Sequence, residues 1–439
     1  MRNIQSRNMM RPLRITTVLL TSLCFLPNLA CADAAREAIQ VEIRNLVENL
    51  NNPKPYERRA SAESLGDFGQ SARPAVPPLV RALSDEMPDV RAAVAEALGR
   101  IGADANTAVP ALVSSLGDPD PSVRSTVIAA LNHFPTKGAL IAPALGQLLD
   151  DPNKSVRLAA ANTLGGLGAE SVTVLRDTLQ HPDPMVRVTA LAALGGTGIY
   201  AERALPELLA ALDQPIGEIR QAAATALGKI ASDKHWPITR PWDPMGYDYK
   251  PIWPRPMRTP LRQSLYTRLH NRIILFTIPA LSQALDDPEP EVRTAVLRAF
   301  STIGSEAASA IPLIIEVVND ENPNVRRVAI TALGNIGNSS DYILQILIDA
   351  FSDADSDVRL AASRSITKMK GAPVELLITA MDNPDPGVRF LAATTLENIG
   401  HEATLAIPVL SQALQDEDED VRLAATYALE AIEGSLISE

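Results

Sequence analysis

The chain has 439 residues, 21% of them charged and 4% aromatic, and a formal net charge of −12. An acidic balance of that size runs against the phosphate neutralisation by which nucleic-acid proteins bind, and the two cysteines, Cys24 and Cys31, are too few for a disulfide framework. Length alone would allow two or three ordinary domains, but internal repetition sets the organisation instead.

The N-terminus has the three parts of a secretory signal. Arg2, Arg7, Arg11 and Arg14 precede an apolar run from Ile15 to Leu26, too short to span a bilayer; Pro27 breaks it, and Ala30-Cys31-Ala32 follows. Cleavage after Ala32 would start the mature chain at Asp33. It would remove both cysteines and four arginines, moving the formal charge from −12 to −16. The expected location is secreted or periplasmic. The alternative is a lipid-anchored protein in which Cys31 is acylated, although Asn28-Leu29-Ala30-Cys31 has Leu where that processing box uses a small residue.

Residues 34–50 predict an amphipathic helix with Ile39, Ile43, Leu46, Val47 and Leu50 on one face. Its other face, with Arg36, Glu37, Gln40, Glu42 and Arg44, suits a terminal unit. A turn at Pro53 to Pro55 leads to a helix from about Arg58 to Phe68.

From there one unit recurs, clearest in Asp151 to Gly168. Asp151-Pro152-Asn153 is turn chemistry, Ser155 is the expected N-cap, and Gly165, Gly166 and Gly168 end the helix. Val156, Ala159, Ala160 and Leu164 are apolar at helical spacing. The dipeptide Val156-Arg157 recurs at Val90-Arg91, Val123-Arg124, Val186-Arg187, Ile219-Arg220, Val292-Arg293, Val325-Arg326, Val358-Arg359, Val388-Arg389 and Val421-Arg422, with a degenerate first copy at Glu57-Arg58. Successive arginines are 33, 33, 33, 30, 33, 73, 33, 33, 30 and 33 residues apart, a helical-solenoid period. The order 33, 33, 30, 33 occurs twice, which suggests a five-repeat block duplicated at an offset of 202 residues.

Each later repeat places a first helix ahead of the marked one. Fourteen residues before the Arg stands Pro77, Pro110, Pro143, Pro206, Pro279, Pro312 or Pro408, tolerated where first-turn amides have no partner to lose. Two and six residues beyond it come packing positions such as Leu79 and Leu83, and each buried side chain contributes about 1.5–3 kcal/mol. Pro-x-Leu-x-x-x-Leu, Asp-Pro, Val-Arg, Ala-Leu-Gly and a closing Ile-Gly or Leu-Gly resemble HEAT repeats, specifically the short bacterial phycobilisome-lyase-type class, over about residues 34–231 and 272–433. The resemblance implies an all-α fold, a right-handed α-solenoid of about eleven helix pairs whose second helices line a concave face. It names no reaction. The expected division is a signal peptide at 1–32, repeats 1–6 at 33–231, an insert at 232–272 and repeats 7–11 at 273–439.

The insert is foreign to its surroundings. It holds all three tryptophans, Trp236, Trp242 and Trp253, with Tyr247, Tyr249 and Tyr266, and seven prolines from Pro237 to Pro260. Lys234, Arg240, Lys250, Arg255, Arg258, Arg262, Arg268 and Arg272 face only three aspartates. From Thr259 to Phe276 the pattern allows a short helix or an extension of the next first helix.

Most candidate chemistry has a structural reading. The recurrent Arg could form a ladder of anion sites, but Asp85, Asp118, Asp151, Asp287, Asp320, Asp353 and Asp416 stand six residues before it, so pairing between neighbouring turns is expected. Asp353-Ala-Asp355-Ser-Asp357 and Asp416-Glu-Asp418-Glu-Asp420 open like calcium loops, yet the sixth position is Val358 or Val421 and the twelfth Arg364 or Tyr427. His401-Glu402 resembles one of the iron-binding pairs of HEAT-repeat hydroxylases, but it is a single pair in a loop. No metal, cofactor or covalent active site is expected, because HExxH, P-loop, GxSxG and cysteine motifs are all missing.

Two surfaces remain as candidates for a protein or peptide partner. Five residues after the repeat Arg the chain runs Glu96, Ala129, Asn162, Ala192 and Thr225, then Arg298, Thr331, Arg364, Thr394 and Tyr427, which makes Arg298 and Arg364 candidate contacts. Within the insert, Trp236, Arg240, Trp242, Tyr247, Tyr249, Trp253 and Arg255 are residue types that carry binding energy; the competing reading makes them a plug over the seam between the two blocks. The expected function is a non-catalytic scaffold, with no nucleic acid and no transmembrane span. The alternative is an enzyme or enzyme subunit similar to the bilin lyases, whose repeats are of this kind.

Overall fold

The computed structural model describes residues 29–232, 260–337, 340–369 and 374–436. Among them the regular elements are helices, in eleven pairs. First helices are α1 (Leu29–Asn49), α3 (Val76–Ala82), α5 (Ala105–Ser114), α7 (Gly138–Gln147), α9 (Val172–Thr178), α11 (Leu205–Ala210), α13 (Pro260–Gln283), α15 (Ile311–Val317), α17 (Asp341–Asp349), α19 (Val374–Ala380) and α21 (Ile407–Ala413). Second helices are α2 (Pro55–Asp67), α4 (Pro88–Ile101), α6 (Pro121–Leu131), α8 (Lys154–Gly166), α10 (Pro184–Gly196), α12 (Gly217–Ser232), α14 (Pro290–Ile303), α16 (Pro323–Ile336), α18 (Ser356–Lys368), α20 (Pro386–Ile399) and α22 (Glu419–Leu436). Each second helix contains one of the eleven marked arginines.

The helices form two compact units, Met1–Ala144 with Asn153–Ala159, and Leu145–Pro152 with Ala160–Glu439. In the first, α2 packs on α4 and α4 on α6. In the second, α10 packs on α12, α12 on α14, and so on in order to α22. First helices pack against the second helix of their own repeat, as α15 does on α16 and α21 on α22. This is an all-α solenoid arrangement, successive helix pairs packing on one another within each unit. The stretch Pro290–Val317 is apolar and long enough for a membrane span by composition alone. It is not one rod, because Gly304, at φ +73, ends α14 and a 3-10 turn over Gly304–Ala310 leads into α15.

The core follows the period. The residue before each repeat Arg from Val90 to Val421 is at most 2% exposed, and so are all ten first-helix residues two beyond the proline position, from Leu79 to Leu410. The set four residues further on is looser, reaching 36% exposure at Leu414, because it sits in the closing turn at the edge of the stack.

Three local expectations need correction. The N-cap of the reference unit is Asn153, not Ser155: its Oδ1 accepts the backbone N–H of Ser155 at 2.9 Å and of Val156 at 3.3 Å. The same position, four before the Arg, caps with Asp120, Asp183, Asn322, Asp355 and Asp385. Second, Pro110, Pro143 and Pro279 lie inside their helices rather than in the first turn. In those repeats the helix starts earlier, where most other repeats lead in through a 3-10 segment such as Gly69–Ala75. Third, the repeat glycines divide into two kinds. Gly168, at φ +59, turns the chain after α8, as expected of a helix end, whereas Gly165 lies within the helix and serves packing.

That packing role is sharpest at Gly228. A Cβ placed there would sit 2.5 Å from the Ala299 Cβ and 2.7 Å from its Cα, so α12 and α14 approach more closely than any side chain at this position allows. Gly66 against Ala97, Gly99 against Ala130 and Gly195 against Ala226 repeat the arrangement. The Ala-Leu-Gly motif is therefore two-sided: its Ala receives the previous helix, its Leu fills the core, and its Gly receives the next.

The insert leaves the stack unbroken. α12 and α14 make the most extensive helix contact of the second unit although 40 extra residues separate their repeats. α13 runs from Pro260 into the next repeat, so the segment from 260 onward is an extension of that first helix. Residues 1–28, with most of the signal segment, and 233–259, with the insert's three tryptophans, lie outside the described residues.

Candidate protein-interaction surface

The orientation of the second helices is set by a ladder of arginines. In Arg220, Nε and Nη2 donate to the two carboxylate oxygens of Asp287 in the next repeat at 2.6 and 2.9 Å, and Nη1 donates to the carbonyl oxygen of Gln214 in its own turn at 2.9 Å. Asp287 also accepts the backbone N–H of Glu289 at 2.9 Å. The same fork joins Arg58 to Asp85, Arg91 to Asp118, Arg293 to Asp320, Arg326 to Asp353 and Arg389 to Asp416. One Asp thus closes its own turn and receives the preceding repeat's arginine, so the residues fasten turns as expected and leave no row of free anion sites. Where the partner position is not acidic the fork is incomplete. Gln214 stands opposite Arg187, whose buried Nε has no partner while its Nη1 holds the His181 carbonyl at 3.2 Å.

The carboxyls of Asp85, Asp118, Asp287, Asp353 and Asp416 are held below the usual carboxylate range. At Asp287, burial pushes the carboxyl up, but the Arg220 hydrogen bond, the Glu289 N–H and the charges of Arg220 and Arg293 outweigh it. Asp85 and Asp118 follow the same balance, while at Asp353 and Asp416 the arginine hydrogen bond is the largest influence. A depressed folded-state pKa adds stability that is present above the unfolded value, about 3.9, and is lost as pH falls through the lower folded value. The thermal midpoint is therefore expected to be level from pH 8 to about 5 and to fall below pH ~4. Circular dichroism melts across that range check it; a midpoint unchanged down to pH 2 would contradict the ladder's role.

The acidic runs that open like calcium loops are part of the same hardware. Asp353 holds Arg326, and Asp355 accepts the N–H groups of Asp357 and Val358 at 2.8 and 3.3 Å. Asp416 and Asp418 repeat both roles. His401 and Glu402 are exposed in the 3-10 segment Gly400–Ala406.

Beyond the ladder lies the outward row of the second helices. Arg298 on α14 and Arg364 on α18 are exposed, with Thr331 of α16 at the equivalent position between them. At about 10 Å per packed helix they stand roughly 20 Å apart, so the structure places them on one row without bringing them together. The position one after the repeat Arg belongs to the same face, and it was missed in the sequence. There Leu360 is 41% exposed, Phe390 37% and Leu423 50%, with Tyr427 50% exposed beside Leu423. The available signal was a large apolar residue next to the fixed Arg. The corresponding pairs in repeats 2, 3, 5 and 6 are Ala92 and Glu96, Ser125 and Ala129, Val188 and Ala192, Gln221 and Thr225; Leu158, in repeat 4, is the exception.

Trp236, Arg240, Trp242, Tyr247, Tyr249, Trp253 and Arg255 lie outside the described residues. The chain that leaves the insert is held on both sides. His270, 9% exposed, places Nε2 3.1 and 3.2 Å from the two carboxylate oxygens of Glu306 and stacks on Tyr266, and Arg272 reaches Glu202 at 2.9 Å. The helix seam itself is made by α12 and α14.

The sequence matches the family described as HEAT repeats over residues 43–132, 142–228, 278–366 and 344–430. Among curated proteins none matches it. Among solved structures it resembles the karyopherin Kap121p bound to the SUMO protease Ulp1p, with 14% identity and a TM-score of 0.55, covering 93% of this chain and 48% of the other. Kap121p bound to Nup53p gives 15% identity and a TM-score of 0.53, covering 97% and 49%. Kap95p with RanGDP gives 16% identity and a TM-score of 0.51, covering 96% and 61%. The chain thus spans about half to three fifths of these proteins, and at such identities the likeness concerns the fold alone.

Proposed function

The chain belongs to the HEAT-repeat family, and from that premise we propose that it is a non-catalytic scaffold, secreted or periplasmic, that binds a protein or peptide. Recognition falls to the outward row of repeats 7–11 and to the aromatic, basic insert. One observation carries this reading. Leu158 and Val188 apart, the outward row is small or polar in the first block and carries exposed Arg298, Leu360, Arg364, Phe390, Leu423 and Tyr427 in the second, although buried positions stay alike in both. Core positions have no reason to vary, whereas Arg, Phe and Tyr exposed together are the types enriched at interfaces. The fold's likeness to Kap121p in complexes with Ulp1p and Nup53p supports a protein-binding use. The location rests on the segment from Arg2 to Ala32.

An affinity pull-down from the secreted fraction tests the proposal with wild type, a form in which Asp233 to Thr259 is replaced by a glycine-serine linker of equal length, and Arg298→Ala/Arg364→Ala. The replacement keeps the 73-residue step and leaves α13, with Tyr266 and His270, intact. Both variants are expected to melt like wild type and to lose partners. Retention of every partner by both would refute the reading, and a large fall in melting temperature of the linker form would assign the insert to covering the seam.

A further inference from the structure

Resting on that reading of the outward row, we infer that its ligand is a segmented peptide, with a block of carboxylates over α14, α16 and α18 and a block of apolar side chains over α20 and α22. Arg298, Arg327, Arg364 and Lys368 make no ion pair among the described residues, whereas six ladder arginines are forked to carboxylates. They lie on three successive packed helices of one face. In a chain of net charge −12, a row of four cations without ion pairs, Arg327 being hydrogen-bonded to Asn324, is a local exception that an acidic segment complements. The last two helices change character. Their outward positions are Phe390, Thr394, Leu423 and Tyr427, without a cation, and Glu397 and Glu430 follow on the same helices.

Those two glutamates repel carboxylates at that end, so cations are confined to α14, α16 and α18, with the exposed Leu360 on α18 where the two blocks meet. Screening confines the attraction to about 8 Å at physiological salt, which makes the local cations, not the acidic remainder of the chain, the charge the ligand meets. Five second helices at about 10 Å intervals span ~40 Å, the reach of about twelve extended residues. The apolar block supplies contact that salt does not weaken.

Fluorescence anisotropy tests this with a labelled twelve-residue peptide carrying six glutamates followed by alternating leucine and serine. One control has the same residues evenly interleaved, and another has lysine for glutamate. The block peptide is expected to bind at least ten times more tightly than either control. Arg327→Glu/Arg364→Glu should weaken it at least tenfold and flatten its salt dependence. Leu423→Ser/Tyr427→Ser should weaken it with the salt dependence kept. All four replaced side chains are exposed or half-exposed; should the arginine variant melt early, Arg298→Glu/Lys368→Glu makes the same test. Equal binding of the three peptides, no binding, or indifference to both double variants would overturn the inference. If pull-down partners are still lost from the Arg298/Arg364 variant while the block peptide fails, the ligand class is wrong and the scaffold reading stands.

Discussion

Gly228→Val is expected to destabilise the protein by about 3 kcal/mol, among the largest effects of any single substitution outside the core leucines. The added Cβ would meet the Ala299 Cβ at 2.5 Å and its Cα at 2.7 Å, and the backbone atom belongs to a helix held between α12 and α16. Relief requires α12 and α14 to move apart, which also strains the Arg220 fork between their repeats. Gly166→Ala is the matched control. It lies in the last turn of α8 with nothing within 4 Å of its added Cβ, so it should be neutral or gain up to about 1 kcal/mol from helix propensity. Urea titrations followed by circular dichroism compare them. Equal midpoints for Gly228→Val and wild type would remove the close-approach account of the Ala-Leu-Gly motif.

Arg220→Met is the second large effect, again about 3 kcal/mol, because it strands a charge. The Asp287 side chain is only 7% exposed, and without Arg220 it keeps its backbone N–H but loses its cation. The carbonyls of Gln214 and Pro215 lose a donor as well. Arg220→Met/Asp287→Asn should recover part of the loss, since the neutral amide still accepts from Glu289 and leaves no unpaired charge. Arg73, 67% exposed against Asp104, is a surface pair whose removal should leave the melting curve where it was. If Arg220→Met melted like the Arg73 variant, the ladder would be ornament rather than fastening.

The repeat count, the helix type and the fully buried row were legible because a period of 33 residues imposes the same packing at every step; Val156 predicts Val325. Gly165 and Asn153 were not. A glycine near a helix end has two uses with one composition, and only the neighbouring helix shows which applies. Asn153 and Ser155 are both capping types, and the choice between them depends on where the turn after Pro152 lets the helix begin. The candidate surface was half visible. Arg298 and Arg364 stood out as charges, while Leu360, Phe390 and Leu423 did not stand out, since an apolar residue in a helical pattern does not state which side its neighbours fill. The finer phycobilisome-lyase-type likeness rests on the motifs alone.

The crossing from Arg220 to Asp287 bears on the order in which the chain assembles. This fork closes 67 residues of chain, where the ordinary one from Arg293 to Asp320 closes 27. Chain-closure entropy grows as the logarithm of loop length, so the longer loop costs about 0.8 kcal/mol more before any contact repays it. That surcharge is modest and is paid when the crossing closes. The cheapest nuclei lie among the evenly spaced repeats on either side, so these are expected to form first and to be joined across the insertion afterwards.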